Sequence, residues 1–375
     1  MKIQQLNLYQ VHLPYAHGLY RLSGGRTYAG FDASFVELVT DTGVSGWGES
    51  TPFGASYIEA HGPGIRAAMP ELADAVLGQD PRRIDRINDA MDIRVTGQRA
   101  AKAAIDVALW DLLGKLWSVP VCDLLGGRTD HPIGLISSIG AGTPDEMAQR
   151  VAEYRARGFK GHSIKVGASE AEGGPALDAE RIRASLSARQ PGEWFLVDAN
   201  GGLSVEHALR LEQLVGPELD YVLEAPCASW RETQSLRLRL QRPLLLDELA
   251  QSDADFMLAA ANDLCDGVGI KITKQGGLSA SRRQRDIARA AGWVMSVQDT
   301  VGSDIAFAAI LHMAQTVPAH LLRCALDTRA MVTLKTAKFE PLVNADGTLH
   351  APDQPGLGVT PDLDVLGQPV ARFEL

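Results

Sequence analysis

A charged residue closes each of six successive apolar segments in the second half of this 375-residue chain. From the second to the fifth of these residues the intervals are 23 to 26 residues, enough for one strand, one helix and two short loops. Such a repeat predicts a (β/α)₈ barrel, in which the strand ends form a single rim that carries the active site. The six residues are Lys165, Asp198, Glu224, Asp247, Lys271 and Asp299.

Apolar segments alternate with amphipathic helical segments between residues 133 and 325. Eight strands separated by helices over about 200 residues predict a closed parallel barrel. The predicted strands are 133–138, 161–166, 194–198, 221–224, 244–247, 267–272, 294–298 and 321–325. The helices predicted between them are 144–157, 178–188, 205–214, 230–240, 253–261, 279–291 and 305–316.

The first part of the chain follows a different pattern. Three strands without intervening helices predict an antiparallel sheet, and apolar residues at helical spacing predict a helix over 99–117. Segments 14–30 and 51–57 lack periodicity, so each is predicted to be a loop, either a binding lid or a plain surface loop. The predicted strands are 3–13, 35–40 and 44–49.

Charge and cysteine content narrow the class of protein. A net charge of −10 and a pI of about 5.4 leave no basic stripe for nucleic acid or an anionic membrane surface. The four cysteines are widely spaced and form no Cys-x-x-Cys pair, which is typical of reduced thiols. With no apolar run long enough for a signal peptide or a membrane span, we expect a soluble cytoplasmic protein.

The three carboxylates at successive strand ends, Asp198, Glu224 and Asp247, form an oxygen-rich site suited to Mg²⁺. Without a His or Cys at these positions, zinc is disfavoured. Lys165 and Lys271 are predicted on opposite sides of that site. One could remove an α-proton from a metal-bound carboxylate substrate while the other delivers a proton to the opposite face, provided that burial and the cation lower the lysine pKa.

The sequence resembles the enolase superfamily, specifically the mandelate racemase and muconate lactonizing enzyme-like proteins. The resemblance rests on the helix segment 103–112, Gly126-Gly127, the strand-end residues, Lys271 with Gly276-Gly277, and the Pro-Gly-Leu-Gly of the tail. It implies an α/β fold, a modified TIM (β/α)7β barrel with an N-terminal α+β capping domain. It also implies one Mg²⁺ per chain on the three carboxylates, the two lysines as acid/base groups, and closure of the loops near 19–26 and 51–57 over the substrate.

On this basis we expect three parts of the chain. The capping domain takes residues 1–130, the barrel with the catalytic residues takes 131–348, and the C-terminal segment 349–375 returns to the capping domain. A homo-oligomer is expected because symmetric assemblies are the default for such enzymes.

Three departures from the family patterns narrow the subgroup. Many muconate lactonizing-type members end the second strand in Lys-x-Lys, but Ser163 stands at the first lysine position here. Mandelate racemases place a His on strand seven, where this chain has Gln298-Asp299; Asp299 either orients Lys271 or is structural. Dipeptide epimerases carry Asp-x-Asp on strand eight, where this chain has Asp327-Thr328-Arg329.

The segments around the strand ends look most like members that act on proline derivatives. A secondary ammonium beside the metal-bound carboxylate would suit the missing lysine at Ser163, and Trp47, Phe53 and Tyr57 could pack around it, although core packing explains each equally well. We therefore expect a small-molecule carboxylate substrate, an imino or amino acid. Asn200 is a further candidate for a supporting or binding role.

The leading hypothesis is dehydration of cis-3-hydroxy-L-proline to Δ1-pyrroline-2-carboxylate. The alternatives are a 2-epimerase or racemase of a proline betaine or other amino-acid derivative, a sugar-acid dehydratase, and a barrel that only binds a metal or ligand. The lysine pair does not separate dehydration from epimerisation, and it leaves open which lysine serves which face.

Overall fold

The computed structural model describes residues 1–375, apart from the side chain of Leu342. The N-terminal region combines a sheet with helices that pack on it. Its strands are β1 (Ile3–Pro14), β2 (Tyr20–Arg21), β3 (Thr27–Tyr28), β4 (Gly30–Thr40) and β5 (Ser45–Ser50). Its helices are α1 (Gly62–Val76), α2 (Ile84–Arg94), α3 (Arg99–Trp117) and α4 (Val121–Leu124).

Eight strands then close into a barrel in chain order, and all neighbouring pairs are parallel. They are β6 (Leu135–Ile139), β7 (Gly161–Lys165), β8 (Trp194–Asp198), β9 (Val222–Glu224), β10 (Leu244–Leu246), β11 (Gly267–Lys271), β12 (Val294–Gln298) and β13 (Leu322–Leu326). The helices along the barrel are α5 (Pro144–Ala156), α6 (Gly174–Leu186), α7 (Val205–Val215), α8 (Trp230–Arg237), α9 (Asp253–Ala261), α10 (Ile272–Gln275), α11 (Leu278–Ala290) and α12 (Asp304–Ala314). The predicted α/β fold with a parallel barrel is confirmed.

The C-terminal part of the chain returns to the N-terminal sheet. Its last strand, β18 (Ala371–Glu374), pairs antiparallel with β1, so that the four-stranded sheet has the order β18-β1-β4-β5. The elements of this part are β14 (Ala337–Lys338), β15 (Leu342–Val343), β16 (Leu349–His350), β17 (Thr360–Pro361), α13 (Leu363–Leu366) and β18 (Ala371–Glu374).

Several predicted boundaries shift by a few residues, and two of the differences lie next to the barrel rim. The sixth barrel strand was expected to include Ile272, but it ends at Lys271, and α10 begins at Ile272. The segment 14–30, predicted to be a loop, contains the short hairpin of β2 and β3. In both cases the pattern of apolar and polar residues does not show where the chain turns, because tertiary contacts decide the position of such a turn.

Buried carboxylates from the N-terminal region hold the starts of two barrel helices. Asp106 on α3 accepts hydrogen bonds from the backbone N–H and hydroxyl of Ser279, at 2.9 and 2.5 Å. Glu49 accepts from the backbone N–H groups of Ser303 and Ala306 at 2.8 and 3.0 Å. Negative charge at a helix N-terminus is favourable, so these contacts fix the N-terminal region against the barrel.

Two glycines of β5 let α3 lie directly on the sheet. A Cβ atom at Gly48 would stand 2.0 Å from the backbone oxygen of Ala104. We predict that Gly48→Ala lowers the free energy of unfolding by about 3 kcal/mol, because helix and sheet must separate. Gly134→Ala is the matched control, since nothing lies within 4 Å of a Cβ there. Urea unfolding of both variants measures the difference; equal stabilities would contradict the close approach.

No helix among the described residues has both the length and the hydropathy that crossing a membrane requires.

The cysteines at 122, 227, 265 and 324 are free and buried. Buried thiols of this kind act as small apolar side chains.

Candidate active site

Three acidic side chains meet inside the rim of the barrel. Asp198 and Glu224 are the last residues of β8 and β9, and Asp247 directly follows β10. All three are buried, and each offers a carboxylate oxygen within 4.8 Å of the others. The parallel register brings them together: Asp198 is paired with Glu224, and Glu224 with Leu245. Strand ends that are 23 to 26 residues apart in sequence therefore share one site.

The two lysines predicted at strand ends lie on either side of these acids. Lys165 ends β7 and Lys271 ends β11, four strands apart in a ring of eight. The Lys165 ammonium donates to Asp198 Oδ2, and the Lys271 ammonium donates to Asp247 Oδ2 at 2.5 Å. The acids thus lie between two ammonium groups that approach from opposite sides of the barrel.

The charges at this site act strongly on one another. Burial lowers the pKa of Lys165, but the Asp198 carboxylate together with Tyr20 and Glu224 outweighs burial and leaves that pKa above the ordinary lysine value. Burial also lowers the pKa of Lys271, and the charges of Asp247, Glu248 and Glu224 together leave it above the ordinary value. Burial raises the pKa of Glu224 well above its ordinary value, and the charges of Asp198 and Asp247 raise it further. In this form the lysines are protonated, and their charges only partly offset the effects that raise the pKa of Glu224.

The donor set fits a divalent cation that prefers oxygen. Glu224 Oε1 is buried and has no hydrogen-bond partner among the described residues. Three carboxylates within 4.8 Å of one another match an octahedral Mg²⁺, whose oxygen ligands at about 2.1 Å lie ~3 to ~4 Å apart. A cation would relieve the repulsion that raises the pKa of Glu224. It would also compete with both lysines for the oxygens of Asp198 and Asp247.

A small cavity lies beside the acids, between the barrel rim and the N-terminal region. Its free volume is about 20 Å³. Both lysines line it, and its remaining walls combine aromatic, aliphatic and hydroxyl side chains. The lining residues are Tyr20, Leu22, Phe53, Tyr57, Ile136, Ser138, Ser163, Lys165, Asn200, Lys271, Gln298, Asp299, Thr300, Leu326 and Met331.

Most of the supporting residues proposed from sequence reach this site. Tyr57 donates to Asp247 Oδ2 at 2.7 Å and accepts from the Lys271 ammonium. The Asn200 amide donates to Asp198 Oδ2 at 3.0 Å. Ser163 lines the cavity near Lys165.

Asp299 also lines the cavity, but its carboxylate accepts from Thr273 and from the backbone N–H of Thr300. Among the described residues, none of its hydrogen bonds involves Lys271. Trp47 is not brought to the cavity: its ring packs against Tyr9 at a centroid distance of 5.3 Å. Core packing of the N-terminal sheet accounts for this tryptophan.

Several residues at the site were not singled out from the sequence. Lys274 donates to Asp247 Oδ1 at 2.8 Å and to the backbone oxygen of the same residue at 2.6 Å. Glu248 accepts from Asn200 at 2.9 Å, and burial raises its pKa to about 7. Lys274 lies three residues beyond Lys271, so a helical turn after the strand was the signal that would have found it.

A closed parallel barrel with three rim carboxylates between two lysines, covered by a second region, defines an enzyme of the enolase type. A comparison with known protein families supports this assignment. Residues 146–365 match the enolase C-terminal domain-like family, and residues 27–126 match the N-terminal domain of mandelate racemase / muconate lactonizing enzyme. The chain belongs to the mandelate racemase/muconate lactonizing enzyme family of the enolase superfamily.

Individual relatives cover most or all of the chain. A cis-3-hydroxy-L-proline dehydratase of Roseibium aggregatum is 37% identical over 373 residues, 100% of both chains. An N-succinyl-L-Arg/Lys racemase of Bacillus cereus is 28% identical over 84% of both. A mandelate racemase/muconate lactonizing enzyme-type structure from Roseovarius nubinhibens, complexed with magnesium, is 58% identical over 100% of both chains, with a TM-score of 0.98.

Proposed function

We propose that this protein dehydrates cis-3-hydroxy-L-proline to Δ1-pyrroline-2-carboxylate. The observation that carries the proposal is the pair of lysines, Lys165 and Lys271, four strands apart around the buried carboxylates. An elimination that removes a proton from one ring face and hydroxide from the other needs groups on both sides of the substrate. The likeness to the Roseibium dehydratase supports this choice of substrate.

We assign one Mg²⁺ per chain to Asp198, Glu224 and Asp247. The unpartnered Glu224 oxygen and the closeness of the three acids support the assignment, as does the magnesium complex of the Roseovarius relative. When bound, the cation would bind the substrate carboxylate and stabilise the negative charge that develops as the α-proton leaves.

The lysines would perform the proton transfers. In cis-3-hydroxy-L-proline the hydroxyl and the carboxylate share one ring face, so the α-proton lies on the opposite face and the elimination is anti. One lysine takes the α-proton, and the C–H electrons form the C2–C3 double bond as the C3–O bond breaks. The lysine opposite, in its ammonium form, gives a proton to the departing hydroxide, which leaves as water. The enamine then tautomerises to the cyclic imine.

The side chains that line the cavity suit the chemistry of a small cyclic imino acid. Ser163 replaces a cationic lysine by a neutral hydroxyl, which lowers the repulsion of a substrate ammonium. The rings of Tyr20, Phe53 and Tyr57 are in contact, with centroids 5.1 and 5.7 Å apart in that order. Aromatic faces favour a nearby cation, so this wall is a candidate surface for the ring nitrogen.

Proton NMR in D₂O with Mg²⁺ tests the reaction. We expect cis-3-hydroxy-L-proline to lose its ring hydroxyl and give the imine, whereas trans-4-hydroxy-L-proline and L-proline, without a leaving group at C3, do not lose water. Wild-type protein without Mg²⁺ is the control. Failure to form the imine from cis-3-hydroxy-L-proline at any Mg²⁺ concentration would contradict the proposal.

A second candidate is 2-epimerisation of proline betaine or another amino-acid derivative. Lysines on both sides of the α-carbon are also what inversion requires, and the Bacillus cereus relative is a racemase. The same NMR experiment separates the two reactions. Exchange of the α-proton with inversion at C2, and no loss of water, would establish the epimerase.

We further propose that the protein works as a homo-oligomer in the cytoplasm. Symmetric homo-oligomers are the commonest form of such enzymes. Four free, buried cysteines fit a reducing compartment.

A further inference from the structure

A hairpin of the N-terminal region lies across the catalytic cavity. We call residues 20–28 the lid hairpin; it comprises β2, a turn at 23–25 and β3. Apart from that of Arg26, its hydrogen bonds to the barrel fall at or just beyond the ends of the first two barrel strands. They are Tyr20 Oη with Ser138 Oγ at 2.7 Å, Ala141 N–H to Arg21 O at 2.9 Å, Ser23 Oγ–H to Val166 O, and Gly24 N–H to Gly167 O at 3.4 Å.

The lid hairpin is in a closed position. The cavity beneath it has a free volume of about 20 Å³, which is room for about one water molecule and not for a five-membered ring with a carboxylate. Leu22 of the hairpin also lines an outer cavity of about 650 Å³. Because the hairpin is the wall between the two cavities, moving it would join them and admit a substrate.

One side chain ties the lid hairpin to two other segments. The Arg26 guanidinium donates to three backbone oxygens: Ser23 O at 3.0 Å, Ser56 O at 2.8 Å and Asn200 O at 3.3 Å. Ser56 lies in the second covering loop, 51–57, and Asn200 follows β8. The planar, forked guanidinium directs three different nitrogens at these three fixed acceptors, whereas the donors of a lysine share one nitrogen.

The third contact reaches the carboxylate cluster. The side chain of Asn200 donates to Asp198 Oδ2 at 3.0 Å and to Glu248 Oε1 at 2.9 Å. The segment that Arg26 holds is therefore the one that positions the Asp198 carboxylate. Asn200 therefore connects the two features: its backbone oxygen holds Arg26 of the lid hairpin, and its side chain holds the acids.

We propose that Arg26 is the latch that fastens the lid hairpin and the 51–57 loop to the barrel over the catalytic cavity. It is a positioning residue: its three contacts hold the covering segments closed over the cavity. Entry of substrate and release of product require these contacts to break.

Amide hydrogen exchange tests the latch without a substrate. In Arg26→Ala we expect exchange in 20–28 and 51–57 to be at least tenfold faster than in wild type, and exchange in the barrel strands to be unchanged. Arg21→Ala is the matched control, because it removes the same charge from the same hairpin. The Arg21 side chain is exposed and makes no hydrogen bond or ion pair among the described residues. Wild-type exchange in Arg26→Ala, or equal acceleration in the control, would overturn the proposal.

A kinetic measurement adds a second test, which rests on the proposed function. With cis-3-hydroxy-L-proline we expect Arg26→Ala to lose at least tenfold in kcat/KM. Arg26→Lys should not restore it, since one ammonium nitrogen does not match acceptors that three different guanidinium nitrogens contact; full restoration would overturn the latch. If wild type does not turn over this substrate, the proposed function fails, and the exchange result still decides the latch.

Discussion

Lys165→Met and Lys271→Met are each expected to reduce dehydration of cis-3-hydroxy-L-proline by at least about 10³-fold. General acid–base catalysis contributes ~10² to ~10⁴ for a single positioned group, and anti elimination needs both groups in one turnover. Methionine keeps the length and apolar body of lysine. The loss should therefore appear in kcat while the fold is retained.

The two variants should differ in α-proton exchange. In D₂O, the variant that keeps the base can still exchange the α-proton without losing water, whereas the variant that lacks the base cannot. Mass spectrometry of recovered substrate thus assigns each lysine to one ring face. Lys335→Met, on the exposed surface, is the control and should retain wild-type turnover.

Thermal unfolding must accompany these measurements. Lys271→Met leaves Asp247 paired with Lys274, so we expect a folded protein that still melts cooperatively. Either variant with more than about a tenth of wild-type turnover would contradict the two-lysine mechanism.

Glu224→Gln is expected to weaken Mg²⁺ binding by at least about 100-fold and to abolish dehydration. Its side chain makes no hydrogen bond to another described residue through Oε1, so glutamine removes a charge and leaves the packing in place. Isothermal titration with Mg²⁺ measures the affinity. Unchanged affinity would contradict the assignment of Glu224 as a ligand.

The same substitution should stabilise the metal-free protein. Burial and the charges of Asp198 and Asp247 raise the pKa of Glu224, which means that its ionised form is disfavoured in the fold. We expect metal-free Glu224→Gln to melt a few degrees above metal-free wild type, and Mg²⁺ to raise the melting temperature of wild type only. Glu206→Gln, an exposed control on α7, should leave the melting temperature unchanged both without metal and with Mg²⁺. A lower melting temperature for metal-free Glu224→Gln would show that the third carboxylate is not under electrostatic strain.

The barrel and the placement of its charged strand ends could be predicted because both depend on local order in the chain. A parallel barrel joins neighbouring strands in sequence, so residues at equivalent strand ends must become neighbours in space. The fold and the family were predicted correctly on this basis. The sequence did not locate the end of β11, because an apolar residue such as Ile272 fits either a strand or the buried face of a short helix.

Side chains from the N-terminal region could not be placed in the same way. Tyr57 and Trp47 are both aromatic residues of that region, yet one contacts Asp247 and the other packs on Tyr9. Neither composition nor periodicity distinguishes an aromatic side chain that reaches the cavity from one that packs in the core of the sheet. The packing of α3 on the sheet and the path of the 51–57 loop decide between them.

Repeated local patterns along the chain were enough to predict the barrel, the three carboxylates and two lysines at its rim, and the family. The three-dimensional packing was needed to show which covering residues reach the cavity, that Lys274 shares Asp247 with Lys271, and that Arg26 joins three separate segments. These contacts connect residues 3 to 190 positions apart. They depend on how the N-terminal region is seated on the rim, which no local pattern encodes.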